Sequence, residues 1–215
     1  MGKLTHYIIH YSATPRGLEV TSDTLKQWHL GPHELTETEI IKAREKGGSN
    51  LLLLKTGVLK YKGNYYAPGT LPKDVIGGVL VEKLEGRGWR QVGYADMIHL
   101  DGRIENLVPY NEDENVDPWE ITNGIMAANE LYDNARHILY VGGGRGEDTR
   151  TPEQINSLIN KVNETIHRHP EILILGHNQV DITGCPGFNV PLWLRLIGVS
   201  EKNISKAPIL YKGRL

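Results

Sequence analysis

Residues 151–175 leave this chain few ways to fold. Thr151, Pro152 and Gln154 suit the N-cap, N1 and N3 positions of a helix closed by a capping box. Behind them Ile155, Leu158, Ile159, Val162 and Ile166 recur at helical spacing. A helix over 152–168 therefore carries one apolar stripe that has to be buried on a sheet. The apolar run Ile172-Leu173-Ile174-Leu175 follows, stops at Gly176, and reads as a strand.

The rest of the chain repeats this alternation. Residues 6–11 read as a strand buried on both faces, and residues 22–30 as a helix with Leu25 and Trp28 inward. Residues 94–100 and 103–108 form a hairpin around Asp101-Gly102, a strong two-residue turn signal. Residues 119–132 have a helical pattern with Gly124 as its weak point, and 137–141 make a strand ended by Gly142-Gly143-Gly144. A last helix near 190–197 is capped by Asn189 and stopped by Gly198. The expected fold class is α/β: a mixed central β-sheet flanked by helices, in a single domain with an inserted subregion.

That insertion covers residues 31–87. Thr36 and Glu39 can form a capping box for a short helix over 36–46 with Gly47 at C′, and residues 58–66 read as a small hairpin. The core then comprises 6–30 and 88–197. A polar tail, 198–215, is expected to wrap loosely over the surface.

With 215 residues, the chain can bury one good core and is marginal for two domains. Its 24 basic and 26 acidic residues leave a net charge of −2, so no basic field points to nucleic acid or to an anionic membrane. The apolar run after Met1-Gly2-Lys3-Leu4-Thr5-His6 is too short for a signal peptide or a span. The expected product is a cytoplasmically made monomer without an export signal. One cysteine, Cys185, cannot make an internal disulfide.

Cys185 stands eight residues after His177 on a turn-rich loop that begins at Gly176. Soft sulfur and borderline nitrogen both suit Zn2+, so a thiolate and an imidazole so placed can share one ion. His10, at the end of Tyr7-Ile8-Ile9, is a third candidate; three protein ligands and one open position describe a catalytic zinc. Plainer readings stand beside these. Cys185 can be a small buried hydrophobe. By alternation His6 and His10 share one face, so the pattern alone does not single out His10. His29 and His33 are separated by the helix-breaking Gly31-Pro32. His167 and His169 suit a helix C-terminus, where the dipole favours a protonated imidazole. His99 and His137 fit buried, hydrogen-bonded strand positions. The glycines of 142–146 lack the lysine and hydroxyl of a phosphate loop and read as a plain loop.

Taken in order, Ile8-Ile9-His10-Tyr11-Ser12-Ala13-Thr14, Gln27-Trp28-His29, Gly88-Trp89-Arg90-Gln91-Val92-Gly93-Tyr94, Asp101-Gly102, Val141-Gly142-Gly143 and Gly176-His177 to Cys185-Pro186-Gly187-Phe188-Asn189-Val190 resemble the type 2 N-acetylmuramoyl-L-alanine amidases. That superfamily includes phage endolysins and animal peptidoglycan recognition proteins. The resemblance covers residues 6–30 and 88–197.

It implies that His10, His177 and Cys185 hold zinc and that Tyr94 is the active-site tyrosine. It also implies a role for Thr183, since members carry lysine or threonine two residues before the cysteine. The implied reaction is hydrolysis of the amide between the lactyl group of N-acetylmuramic acid and L-alanine in peptidoglycan, by an endolysin reaching the wall after release. Thr183 can equally be a turn hydroxyl, and Tyr94 a half-buried strand aromatic. Ala95 departs from the histidine many members place after the tyrosine, and Tyr132-Asp133-Asn134-Ala135-Arg136-His137 departs from their asparagine- and serine-containing stretch. Some members bind peptidoglycan without cutting it, typically after losing the cysteine, so Cys185 favours hydrolysis. The alternative is a non-catalytic peptidoglycan-binding or tail-associated wall-docking protein. No carboxylate is assigned as general base; Asp96 and Asp181 are the candidates.

Overall fold

The structure, a computed structural model, describes residues 2–30, 33–34, 54–61, 64–66, 79–84, 89–125 and 130–211. In chain order its elements are β1 (Gly2–Lys3), β2 (His6–Tyr11), α1 (Ser22–Leu30), β3 (His33–Glu34), β4 (Leu54–Tyr61), β5 (Asn64–Tyr66), β6 (Val79–Leu84), β7 (Asp96–Ile98), β8 (Ile104–Asn106), β9 (Asn115–Val116), β10 (Ala135–Tyr140), α2 (Pro152–Arg168), β11 (Leu173–Gly176) and α3 (Val190–Leu196). Two compact units result: Met1–Ser22 with Gln91–Leu215, and Asp23–Arg90.

The first unit is built on a five-stranded mixed sheet in the order β11-β2-β10-β7-β8. β11, β2, β10 and β7 are parallel neighbours, and β8 closes the edge antiparallel through the Asp101-Gly102 turn. Gly102 takes φ 83° there, a conformation only glycine adopts without strain. β2 and β10 sit inside the sheet and are covered on both faces, so His6–Tyr11 and Ala135–Tyr140 are buried almost without interruption, His10, His137 and Arg136 included.

One face of this sheet is the main core. Tyr7, Ile9, Ile98, Ile138, Tyr140, Ile172 and Ile174 meet Leu158 and Val162 of α2, and Phe188, Val190 and Leu194 at the start of and along α3. α2 has the bounds the sequence predicts, with both halves of the Thr151–Gln154 capping box made. Gln154 goes further: its Nε2 donates to the carbonyls of Ile98 (3.2 Å) and Val141 (2.9 Å), tying the cap to the sheet. The opposite face carries a smaller cluster of Ile8, Ile125, Ala135 and Leu175. His10 and His137 share that face by strand alternation.

In the second unit β3, β6, β4 and β5 form an antiparallel sheet in that order. β4 and β5 are the hairpin expected over 58–66, with β4 starting earlier. The helix expected over 36–46 lies outside the described residues. In α1 the buried residues are Leu25 and His29, whereas Trp28 is only half-buried.

Two expectations need correction. Of the helix expected over 119–132, residues 119–125 and 130–132 are turns and loop, and 126–129 lie outside the described residues. The backbone there is committed elsewhere: Asn123 N–H donates to Val92 O at 3.0 Å, and the buried Glu120 carboxylate accepts from the N–H groups of Asn111 and Asp117. The tail, in turn, is docked rather than loose. Asn203 and Ile204 are buried, Ser205 N–H donates to Ile174 O at 3.1 Å, and Leu210 N–H donates to Asn178 O at 2.8 Å. Asn203 Nδ2 also satisfies the carbonyls of Pro170 (2.8 Å) and Ile172 (2.9 Å) ahead of β11.

Candidate metal centre

Side chains of a parallel sheet converge at the carboxyl ends of its strands. His10 sits one residue from the end of β2, and His177 is the first residue after the neighbouring β11. The loop that follows β11 is pinned to bring Cys185 back to them. Asn178 N–H donates to Cys185 O at 2.7 Å, Gly187 N–H donates to Gly184 O at 2.7 Å, and the buried Tyr140 hydroxyl donates to Pro186 O at 2.7 Å. From the other side Gln179 accepts from Gly176 N–H (3.0 Å) and donates to Ala207 O (2.7 Å), so the C-terminal segment braces the loop.

The result is a cluster of His10, His177 and Cys185 whose ligand atoms all lie within 4.8 Å of one another. His10 Nδ1 and Cys185 Sγ are 3.7 Å apart. Two ligands of a tetrahedral zinc, with Zn–N about 2.0 Å and Zn–S about 2.3 Å, are separated by roughly 3.5 Å, so the pair fits that ion. The rings of His177 and Tyr94 lie 4.6 and 5.1 Å from the ring of His10, centre to centre.

Protonation states also fit a metal. Desolvation, then the neighbouring His177 and His137, hold His10 well below the ordinary imidazole value. Desolvation likewise lowers His177, with Asp181 opposing it from 3.7 Å. Both rings are therefore neutral and offer lone pairs at neutral pH. Burial pushes the Cys185 thiol strongly up, although Tyr11 N–H donates to its sulfur at 3.3 Å. A bound dication reverses that preference by stabilising the thiolate.

The remaining candidates divide. Thr183 Oγ1 accepts from Cys185 N–H at 3.2 Å, the bond expected of a turn hydroxyl, and its side chain also bonds Tyr11. Asp181 is exposed beside His177. Asp96 is excluded from the site: it faces α2, where it accepts from Tyr110 (2.8 Å) and Asn106 (3.0 Å) and pairs with Lys161 at 3.7 Å. His99 is buried between Glu19 (2.8 Å) and Glu105 (2.9 Å). His169 caps α2, but burial lowers its pKa, so it does not act as the protonated partner of the helix dipole.

His137 is the buried, hydrogen-bonded strand histidine that its sequence position predicts, and its partner is His10. Its Nδ1 is 2.9 Å from Nε2 of His10, and burial brings its pKa down to about 3. Alternation along β10 beside β2 was the only signal that it shares the face of His10.

No family model matches the sequence. An endolysin of Enterobacteria phage K11 is 26% identical over 113 residues, 51% of this chain and 68% of that protein. The chain is similar in sequence to a phage endolysin. Among solved structures, the endolysin N-acetylmuramoyl-L-alanine amidase LysCS from Clostridium intestinale URNW superposes with a TM-score of 0.49 at 18% identity, covering 93% of this chain and 86% of that one. The Ph2119 endolysin from a Thermus scotoductus MAT2119 bacteriophage gives 0.46 at 15% identity, with 93% and 87% covered. Bumblebee PGRP-SA gives 0.47 at 13%, with 95% and 86% covered. Among the described residues no helix is long and apolar enough to cross a membrane.

Proposed function

We propose that the chain is a zinc-dependent hydrolase that cleaves the amide between the lactyl group of N-acetylmuramic acid and L-alanine in peptidoglycan, in the manner of a phage endolysin. The observation that carries this reading is the convergence of His10, His177 and Cys185 beside Tyr94. When bound, zinc supplies a Lewis acid and lowers the pKa of its water to roughly 7.

The chain's own residues do the rest. His10 and His177 contribute neutral nitrogens and Cys185 a thiolate, so the set carries one negative charge and leaves the ion net positive. Tyr94 Oη–H donates to the scissile carbonyl oxygen as negative charge develops there, and the hydroxyl of Thr183 is a second donor. Removing one donor of this kind typically costs about 100- to 1000-fold in rate. In this reading Asp181, a solvent-exposed carboxylate beside His177, takes the proton released from the attacking water and passes it to the departing L-alanine nitrogen.

Incubation of the zinc-loaded protein with muropeptides tests the reading. Free L-alanine amino groups should appear, stop with a chelator, and return with zinc. Muropeptide binding without new amino groups would instead mark a recognition module.

A further inference from the structure

We infer that His137 is the positioning residue that fixes which nitrogen of His10 faces the metal. The inference rests on the proposed metal centre and deepens it. His10 turns Nδ1 toward Cys185 Sγ at 3.7 Å and Nε2 toward His137 Nδ1 at 2.9 Å. A metal-ligating Nδ1 carries no hydrogen, so the ring hydrogen of His10 must sit on Nε2 and be donated to His137 Nδ1. His137 must then carry its own hydrogen on Nε2. Each ring thus dictates the tautomer of the next.

Three observations favour this role over simple core filling. Every residue of β10 is buried, and the neighbours of His137 on its face, Ala135 and Leu139, are apolar. A histidine there sacrifices polar satisfaction: its Nε2 has no hydrogen-bond partner among the described residues. An unpartnered buried donor costs about 1–3 kcal/mol, which an apolar side chain of similar size would avoid. The ring is also held in place. A Cβ on Gly124 would come within 2.5 Å of His137 Nδ1 and 2.4 Å of Gly93 O, so only glycine lets the loop close over it. The His10 and His137 rings are 5.1 Å apart, tilted by 39°, and bonded edge to edge through those two nitrogens.

Two substitutions separate the hydrogen bond from the packing. His137→Asn keeps an acceptor, Oδ1, close to the position of Nδ1, and His137→Leu keeps bulk without one. Zinc affinity of the full chain is measured by competition with a chromophoric chelator, and the cobalt-substituted protein is read by its thiolate charge-transfer band. Outer-shell partners typically govern metal affinity by about 10- to 100-fold. The Leu variant should lose affinity within that range and shift the cobalt band, while the Asn variant keeps most of the affinity and the wild-type band. A folded Leu variant with wild-type affinity, or equal losses in both variants, would overturn the inference. Should the Leu variant fail to fold, ring-nitrogen NMR of the metal-free wild type decides: hydrogen on Nε2 of both rings supports the assignment, and hydrogen on Nδ1 of His10 overturns it. A wild type that takes up no zinc would overturn the proposed function itself, a result distinct from either of these.

Discussion

Cys185 Sγ stands 3.7 Å from His10 Nδ1, although 175 residues of chain separate them. The approach is made by the sheet, not by local sequence. Parallel pairing of β2 with β11 puts the two strand ends side by side, and the loop bonded through Asn178, Tyr140 and Gln179 folds the cysteine back onto them. Because each contact in this chain of support is separable, the site's parts can be tested one at a time.

Tyr94 lies against His10 without belonging to the metal cluster. Tyr94→Phe removes a donor and little volume. The variant should keep its zinc and its melting temperature while turnover on muropeptides falls about 100- to 1000-fold. Unchanged turnover would take Tyr94 out of the reaction.

Acid should weaken the metal-free protein. His10 and His177 are held below the ordinary imidazole value chiefly by desolvation, and His137 is brought to about 3. Unfolded, these rings take up protons near pH 6.5. Below that value the unfolded chain binds more protons than the folded one, so stability falls as pH drops from about 6.5 toward 3 and is level just above 6.5. Each ring kept neutral contributes a slope of up to about 1.4 kcal/mol per pH unit. Urea melts in chelator from pH 7.5 down to 4.5 should show the decline, and a flat profile would contradict it.

Much of this architecture can be read directly from the residues. The Thr151–Gln154 box and the Leu158–Val162 stripe define α2 because local capping and helical period agree with the tertiary demand. His10, His177 and Cys185 were separable from the other seven histidines by the loop's composition and by resemblance, not by spacing. What escaped was set by long-range contacts. Residues 119–125 carry a helical pattern, yet Asn123 N–H donates to Val92 O and the Glu120 carboxylate accepts from the N–H groups of Asn111 and Asp117. His137 looks like any strand histidine until β10 is laid beside β2. The tail after Gly198 has no period at all, and its docking depends on Asn203 meeting carbonyls about thirty residues earlier.

The helix cap offers a stability test remote from the metal. Thr151 Oγ1 accepts from Gln154 N–H at 3.1 Å and donates to Leu100 O at 2.8 Å. Thr151→Ala should cost about 1–2 kcal/mol in urea unfolding, with zinc content unchanged. No loss of stability would mean the cap contributes nothing.

Docking of the tail is testable at Ile204, which is 1% exposed and bridges to Ile174. Ile204→Ala should destabilise by about 2–5 kcal/mol, the range for emptying such a buried site. A change within about 0.5 kcal/mol, as at ordinary surface positions, would mean that the segment packs no better than a loose strand of chain.

Zinc stoichiometry by elemental analysis of the purified wild type and of His10→Ala, His177→Ala and Cys185→Ala tests the central claim most directly. The account predicts one zinc per wild-type chain and loss of that zinc in each variant, with the fold retained by circular dichroism. Stoichiometric zinc in the Cys185→Ala protein, or none in the wild type, would contradict it.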